Sequence, residues 1–176
     1  MLVFLLNFHR IAITIELMSD PKLKIKVDDL TGPEIQDLLR DHLQNLSAIS
    51  PPCSMHALIL DALRKPNITF WSVWSDVPSN KLMGCGALME LDSGHAEIKS
   101  MRTVPAHLRK GVASRMLEHI IAEARRRGYR KLSLETGAGA AFLAAQTLYA
   151  KFGFQRCEPF GSYVDDPNSV FMTRDL

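Results

Sequence analysis

The stretch Leu108-Arg109-Lys110-Gly111-Val112-Ala113-Ser114 sets two cations and a glycine immediately before a run whose apolar residues fall at helical spacing. Backbone N–H groups in the first turn of a helix have no acceptor within that helix, and a glycine beside them lets an anion approach closely. Arg109 and Lys110 add positive charge at the same point. Such a loop is suited to cradling a pyrophosphate. LRKGVA is neither the phosphate loop that ends in Gly-Lys-Ser/Thr nor the G-x-G-x-x-G fingerprint, so the nucleotide readings attached to those two motifs lose their support.

Elements on both sides must hold this loop. Val112, Ala113, Met116, Leu117, Ile120, Ile121 and Ala124 recur at about 3.6 residues and predict a long amphipathic helix up to Gly128. Before it, His95 to Thr103 reads as a strand entered from the turn Asp92-Ser93-Gly94. Ile68 to Trp74 and Lys81 to Leu91 predict a hairpin around Asp76 to Asn80, with Gly84 and Gly86 permitting a bend or bulge. Further upstream, the alternation of Leu23, Ile25 and Val27 predicts a half-buried strand over Lys22 to Val27.

Thr31 and Glu34 have capping-box spacing ahead of Ile35, Leu38, Leu39, His42, Leu43 and Leu46, which predicts a helix with His42 as a packed residue and a break over Ser47 to Pro52. Ser54 is placed to cap a shorter helix with Met55, Leu58, Ile59, Ala62 and Leu63 on one face, ending before Pro66. The segment between these helices either lines a pocket, bringing Ser50, Cys53 and His56 near chemistry, or is a plain connector. After Gly128 the sequence predicts a strand over Lys131 to Glu135, a small-residue loop over Gly137 to Ala141 and a helix over Phe142 to Phe152 ended by Gly153. Short strands follow over Phe154 to Cys157 and Ser169 to Thr173. Three antiparallel strands in succession, then helix, strand and helix, predict an α/β chain of the α+β kind: a central mixed, mostly antiparallel sheet flanked by helices.

A chain of 176 residues is one domain by its length, with 47% hydrophobic and 23% charged residues and a net charge of only +2. Three scattered cysteines, Cys53, Cys85 and Cys157, without a C-x-x-C pair, predict reduced thiols in a cytoplasmic protein and no zinc site. The apolar opening is interrupted by Asn7, His9 and Arg10 and falls short of the ~20 residues that span a bilayer, so no membrane association is expected. Met18 precedes SDPKLKIKV; residues 1–17 read as an N-terminal extension and 18–176 as a single domain. Arg125, Arg126, Arg127, Arg130 and Lys131 cluster where the long helix ends, and cations there meet the helix dipole favourably. A solvated helix end is preferred to a nucleic-acid surface, which needs aromatic or base-reading partners.

With the loop set between a proline-marked strand and a long helix, the arrangement resembles the GCN5-related N-acetyltransferase (GNAT) superfamily. LRKGVA, Leu108 to Ala113, resembles its acetyl-CoA motif Gln/Arg-x-x-Gly-x-Gly/Ala, with Leu108 replacing the usual polar residue. YAKFGF, Tyr149 to Phe154, resembles the tyrosine-bearing helix and its Gly-Phe exit; Phe142 stands near the place of an asparagine common in the family. The likeness covers about Leu82 to Phe154. It implies acetyl-CoA as co-substrate, with the backbone of Met101, Arg102 and Thr103 aligning the pantetheine and Arg109, Lys110, Gly111, Val112, Ala113 and Ser114 holding the phosphates. It implies Tyr149 as the acid that protonates the departing thiolate and Glu97 as the base on the central strand. Glu135, at the end of the following strand, is the second candidate base. No metal is implied, since a strand N–H such as that of Thr103 can polarise the thioester.

The expected reaction is therefore acetyl transfer to a primary amine by direct attack. The acceptor reads as a small amine or an amino-acid-like molecule, because no long acidic peptide-binding surface is evident. Trp71, Trp74, Phe160 and Tyr163 are candidate aromatic walls, and Asp165, Asp166 and Asn168 candidate polar groups for the amine. A non-catalytic CoA-binding module on the same scaffold, and an acetyltransferase for protein N-termini or lysines, stand as alternatives. The sequence leaves a homodimer open.

Overall fold

The alternating strands assemble into one seven-stranded sheet whose order is β1-β2-β3-β4-β5-β7-β6 in the computed structural model. That structure describes residues 23–51, 54, 56–76 and 80–176. The extension over 1–17, Lys22, Cys53, Met55 and most of the turn over 76–80 lie outside the described residues. In chain order the elements are β1 (Leu23–Val27), α1 (Pro33–Ile49), α2 (Leu60–Leu63), β2 (Ile68–Ser75), β3 (Leu82–Asp92), β4 (His95–Thr103), α3 (Val112–Arg126), β5 (Lys131–Gly137), α4 (Leu143–Lys151), β6 (Gln155–Arg156) and β7 (Ser169–Asp175). Every pairing is antiparallel except that of β4 with β5, which α3 connects. The mixed, mostly antiparallel sheet expected from the strand succession is the one found.

Two apolar clusters cover the sheet. Val112, Met116, Leu117, Ile120, Ile121 and Ala124 of α3 bury the predicted face with Trp71, Ile98, Leu132 and Tyr149. Leu38 and Leu39 of α1 and Leu63 of α2 pack with Phe70, Cys85 and Ala87. α3 lies close to β3 because Gly84 and Gly86 have no side chain. A Cβ on Gly86 would come within 2.7 Å of the Met101 sulfur and 2.8 Å of Met116 Cγ. The expected bulge is present, with the β3–β4 register slipping between Cys85 and Ala87.

Three local expectations are corrected. The Thr31–Glu34 capping box does not form: Gly32 is the N-cap and Pro33 begins the helix, while Thr31 Oγ donates to Asp29 at 2.6 Å. Proline's fixed φ organises that first turn without a side-chain cap. α1 also continues through Ser47 to Ile49, since the Ser47 hydroxyl turns back onto the Gln44 carbonyl at 2.8 Å and leaves the helix unbroken. Ser54 does not cap α2, which begins only at Leu60 with Ile59 as its N-cap. The Ser54 side chain is buried and engaged by Asp166 and Asn168 of the C-terminal loop, with Asn168 Nδ2 donating to its Oγ at 3.3 Å.

Candidate active site

β4 and β5 are hydrogen-bonded only over their first halves, from His95 opposite Lys131 to Ile98 opposite Leu134. Two residues later Ser100 adopts φ 54°, in the left-handed region that a side chain ordinarily avoids. β3 remains paired with β4 through Arg102 and Thr103, so the backbone edge of residues 99–103 on the β5 side has no strand partner. The strands part like a V. The gap is a cavity of about 390 Å³, walled by residues 99–103 of β4, by Glu135, Thr136 and Gly137 of β5 and by Ala145, Leu148 and Tyr149 of α4. His42, Asn45, Leu46 and Ile49 of α1 close one side, continued by Ser50, Ser54, His56 and Ala57. The segment after α1 thus lines the cavity at Ser50 and His56.

At the far end of β4 the chain passes through a single 3₁₀ turn, Pro105–His107, and reaches the basic loop. Arg109 and Gly111 both have positive φ, 60° and 77°, and Gly111 is the N-cap of α3. A Cβ at Gly111 would meet nothing within 4 Å, so backbone conformation, not crowding, calls for glycine. Val112 turns its side chain into the core, whereas Arg109 and Lys110 stay exposed. The Lys110 ammonium donates to the Ala106 carbonyl at 3.0 Å and braces the loop. Leu108 and Ala113 are on the cavity wall, so the first turn of α3 opens onto the same space.

The two candidate bases have different surroundings. Glu97 is 1% exposed and does not line the cavity. Its Oε1 accepts from Lys99 Nζ at 3.0 Å and from the Tyr163 hydroxyl at 2.6 Å, and Lys99 also donates to the His56 carbonyl at 3.1 Å. Glu135 is on the cavity wall, where Ser169 Oγ donates to it at 2.7 Å. Burial pushes its carboxyl above the usual range, outweighing the Ser169 hydrogen bond and the charges of His56 and Lys99. Tyr149 lines the cavity with its ring edge-on to Phe154, and burial, followed by the nearby Glu135 charge, pushes its phenol well up. At neutral pH it keeps its proton.

The other proposed groups are dispersed. Trp71 is buried in the core beside His119, and the Trp74 indole donates to Ser72 with Lys26 over its ring, so neither tryptophan walls the cavity. Tyr163 and Phe160 form an aromatic cluster with His56, His95 and Phe171 that backs the Glu97–Lys99 pair. Asp165 is exposed, while Asp166 and Asn168 hold Ser54. Arg126 and Arg127 fold onto Glu123, with Arg127 also over Trp71, as suits the end of a helix. Lys99 is the site residue missed from sequence. Its spacing from Glu97, two residues along one strand, puts both side chains on one face and was the available signal. Among the described residues no three His, Cys, Asp or Glu side chains gather as a metal site, and no helix is long and apolar enough to cross a membrane.

Residues 35–154 match the model of the acetyltransferase (GNAT) family. The chain is 58% identical over 154 residues to the uncharacterized N-acetyltransferase YsnE of Bacillus subtilis, covering 88% of this chain and 100% of that one. It is 50% identical to the uncharacterized N-acetyltransferase YedL of Escherichia coli, over 86% and 94% of the two chains. Among solved structures, a protein of Klebsiella pneumoniae assigned to the acyl-CoA N-acyltransferases superposes with a TM-score of 0.68 at 28% identity, covering 88% of this chain and 98% of that one. A Bacillus subtilis acetyltransferase solved in complex with CoA shares the fold, with a TM-score of 0.62 at 18% identity and coverage of 88% and 99%.

Proposed function

The chain belongs to the GNAT family of acetyltransferases and is an N-acetyltransferase, and on that premise we propose that it transfers the acetyl group of acetyl-CoA to the primary amine of a small, amino-acid-like acceptor, in the cytoplasm. The observation that carries the proposal is the V between β4 and β5, which brings Tyr149 and Glu135 onto one cavity wall.

The residues present fit the co-substrate. The unpaired edge of Met101, Arg102 and Thr103 offers backbone donors and acceptors to the amide-bearing pantetheine arm, and the first-turn amides after Gly111, with Arg109 and Lys110, suit its pyrophosphate. Acetyl-CoA supplies an acyl group joined to sulfur, a bond that amine attack breaks with release of a thiol. Glu135 takes the proton from the incoming ammonium. Its raised pKa brings its basicity closer to neutral pH, where a general base works best. Tyr149, held protonated by burial, donates to the departing sulfur. Glu97, the other candidate base, is given to Lys99 and Tyr163 and serves to fix them. α1, with Ser50, Ser54, His56 and Ala57, closes one side of the cavity, which favours a small acceptor over a protein surface.

A thiol-release assay with acetyl-CoA against a panel of amines and amino acids tests this reading. Turnover of at least one small amine, with a rise in Tm on adding acetyl-CoA, is the expected result. Absence of both binding and thiol release would sink it.

A further inference from the structure

Among the described residues only three buried side-chain polar atoms lack a hydrogen-bond partner, and two of them, Arg102 Nε and His42 Nδ1, belong to side chains that line the catalytic cavity. Arg102 belongs to none of the ion pairs among the described residues. The cavity's other cation, Lys99, is neutralised by Glu97, and Glu135 interacts with Ser169, His56 and Lys99. The guanidinium is therefore a wall charge without a counter-ion. A buried donor left without a partner is destabilising, and a guanidinium's fork of donors matches a carboxylate.

The side of the sheet identifies what Arg102 faces. It is registered opposite Cys85, which packs in the α1 cluster, and its charge is felt by His42 of α1. Met101, the adjacent residue, packs instead toward Met116 and Gly86 on the α3 side, where the pyrophosphate loop begins. The Arg102 side chain thus belongs to the end of the cavity closed by α1. His42 is held neutral there, its pKa pushed down to about 4 by burial and then by Arg102, so it adds hydrogen-bonding capacity without a second full charge.

We propose that Arg102 and His42 form a carboxylate subsite for the acceptor, so that the enzyme takes a molecule carrying both a free amine and a carboxylate, such as an α-amino acid. The inference rests on the acetyltransferase reading of the same cavity. The carboxylate pairs with the guanidinium on the α1 side while the amine is left for Glu135. One uncompensated positive charge matches one carboxylate.

The test uses the full chain with acetyl-CoA and matched pairs of L-amino acids and their amides, which differ only in the carboxylate. The acid exceeds its amide in kcat/KM by about ten-fold or more, as expected where a site is left with an unpaired group by the wrong substrate. Arg102→Gln collapses that ratio toward one, and Arg102→Lys restores part of it, with Tm confirming that both variants fold. Equal use of acids and amides by the wild type, or a ratio unchanged in Arg102→Gln, overturns the proposal. So does a loss of acetyl-CoA affinity in Arg102→Gln that by itself accounts for the lost rate. A second readout needs no turnover: in the presence of CoA, N-acetyl amino acids raise Tm and N-acetyl amino amides do not. If that shift occurs and depends on Arg102 while no amine is acetylated, the carboxylate subsite stands and the proposed activity fails. If amines are acetylated without regard to a carboxylate, the activity stands and the subsite fails.

Discussion

Replacing Glu97 by Gln separates a structural carboxylate from a catalytic one. The substitution keeps an oxygen for the Tyr163 hydroxyl but removes the counter-ion of Lys99, whose side chain is only 8% exposed. The ammonium would retain the His56 carbonyl and the Tyr163 oxygen as hydrogen-bond partners, neither of which carries charge. Leaving a buried charge uncompensated costs about 3 kcal/mol at the lower end of the usual range. For a domain of this size each kcal/mol shifts Tm by about 2–4 °C, so Glu97→Gln should melt about 6–12 °C lower. Adding Lys99→Met should recover most of that loss, because it removes the buried ammonium that Glu97→Gln leaves without a counter-ion. Well below its Tm, Glu97→Gln should retain kcat within about ten-fold, whereas Glu135→Gln should lose about 10²–10⁴-fold, the usual contribution of general acid–base catalysis. Thermal melts and thiol-release kinetics on the three variants decide the matter. A Glu97→Gln enzyme that melts normally and does not turn over would refute the assignment and restore Glu97 as the base.

As the proposed base, Glu135 should also determine the pH behaviour. Its carboxyl is raised in the folded state by burial, so the base form appears only above the ordinary carboxylate range, and kcat should climb with pH through that raised value and lose this limb in Glu135→Gln. A profile flat through the acid range would contradict this. The same shift means that Glu135 favours folding while protonated and that this contribution is lost as pH rises through the folded pKa, so Glu135→Gln should match or exceed the wild-type Tm at neutral pH. Tyr149 is shifted upward as well, so it should give no falling limb below the ordinary tyrosine range. Gly111→Ala places a side chain at φ 77°, a strain of about 1 kcal/mol, and should lower Tm by about 2–4 °C while weakening acetyl-CoA binding measured by calorimetry. Unchanged Tm and Kd would show that the left-handed N-cap is not what the loop needs.

Much of the scaffold is legible because it rests on local patterns. The 3.6-residue repeat of α3 lies along one helix, and each of its six buried residues is among those the repeat picks out. Alternation gives the hairpin and β4, and Gly111 before an apolar run marks the loop. What the sequence withholds is non-local or depends on competition between nearby groups. Tyr163 reaches Glu97 across 66 positions, and no spacing announces that contact. Thr31 had the right neighbour for a capping box, yet Asp29 two residues away took its hydroxyl and Pro33 made a cap unnecessary. Ser54 had the cap's chemistry but is claimed by the loop at Asp166 and Asn168. The opening of β4 from β5 depends on Ser100 in a left-handed conformation, which a serine in a strand-like run does not signal. Arg102 was visible in the sequence only for its backbone, among the strand residues expected to align the pantetheine; its side chain's lack of a counter-ion is a property of everything packed around it.

The most direct measurement is the turnover and acetyl-CoA affinity of Tyr149→Phe. The ring and its contact with Phe154 remain, so only the hydroxyl on the cavity wall is lost. Transfer through a tyrosine acid predicts a fall in kcat of about 10²–10⁴-fold with the Kd for acetyl-CoA nearly unchanged. Full turnover by Tyr149→Phe, or an equal loss of acetyl-CoA binding, would contradict it.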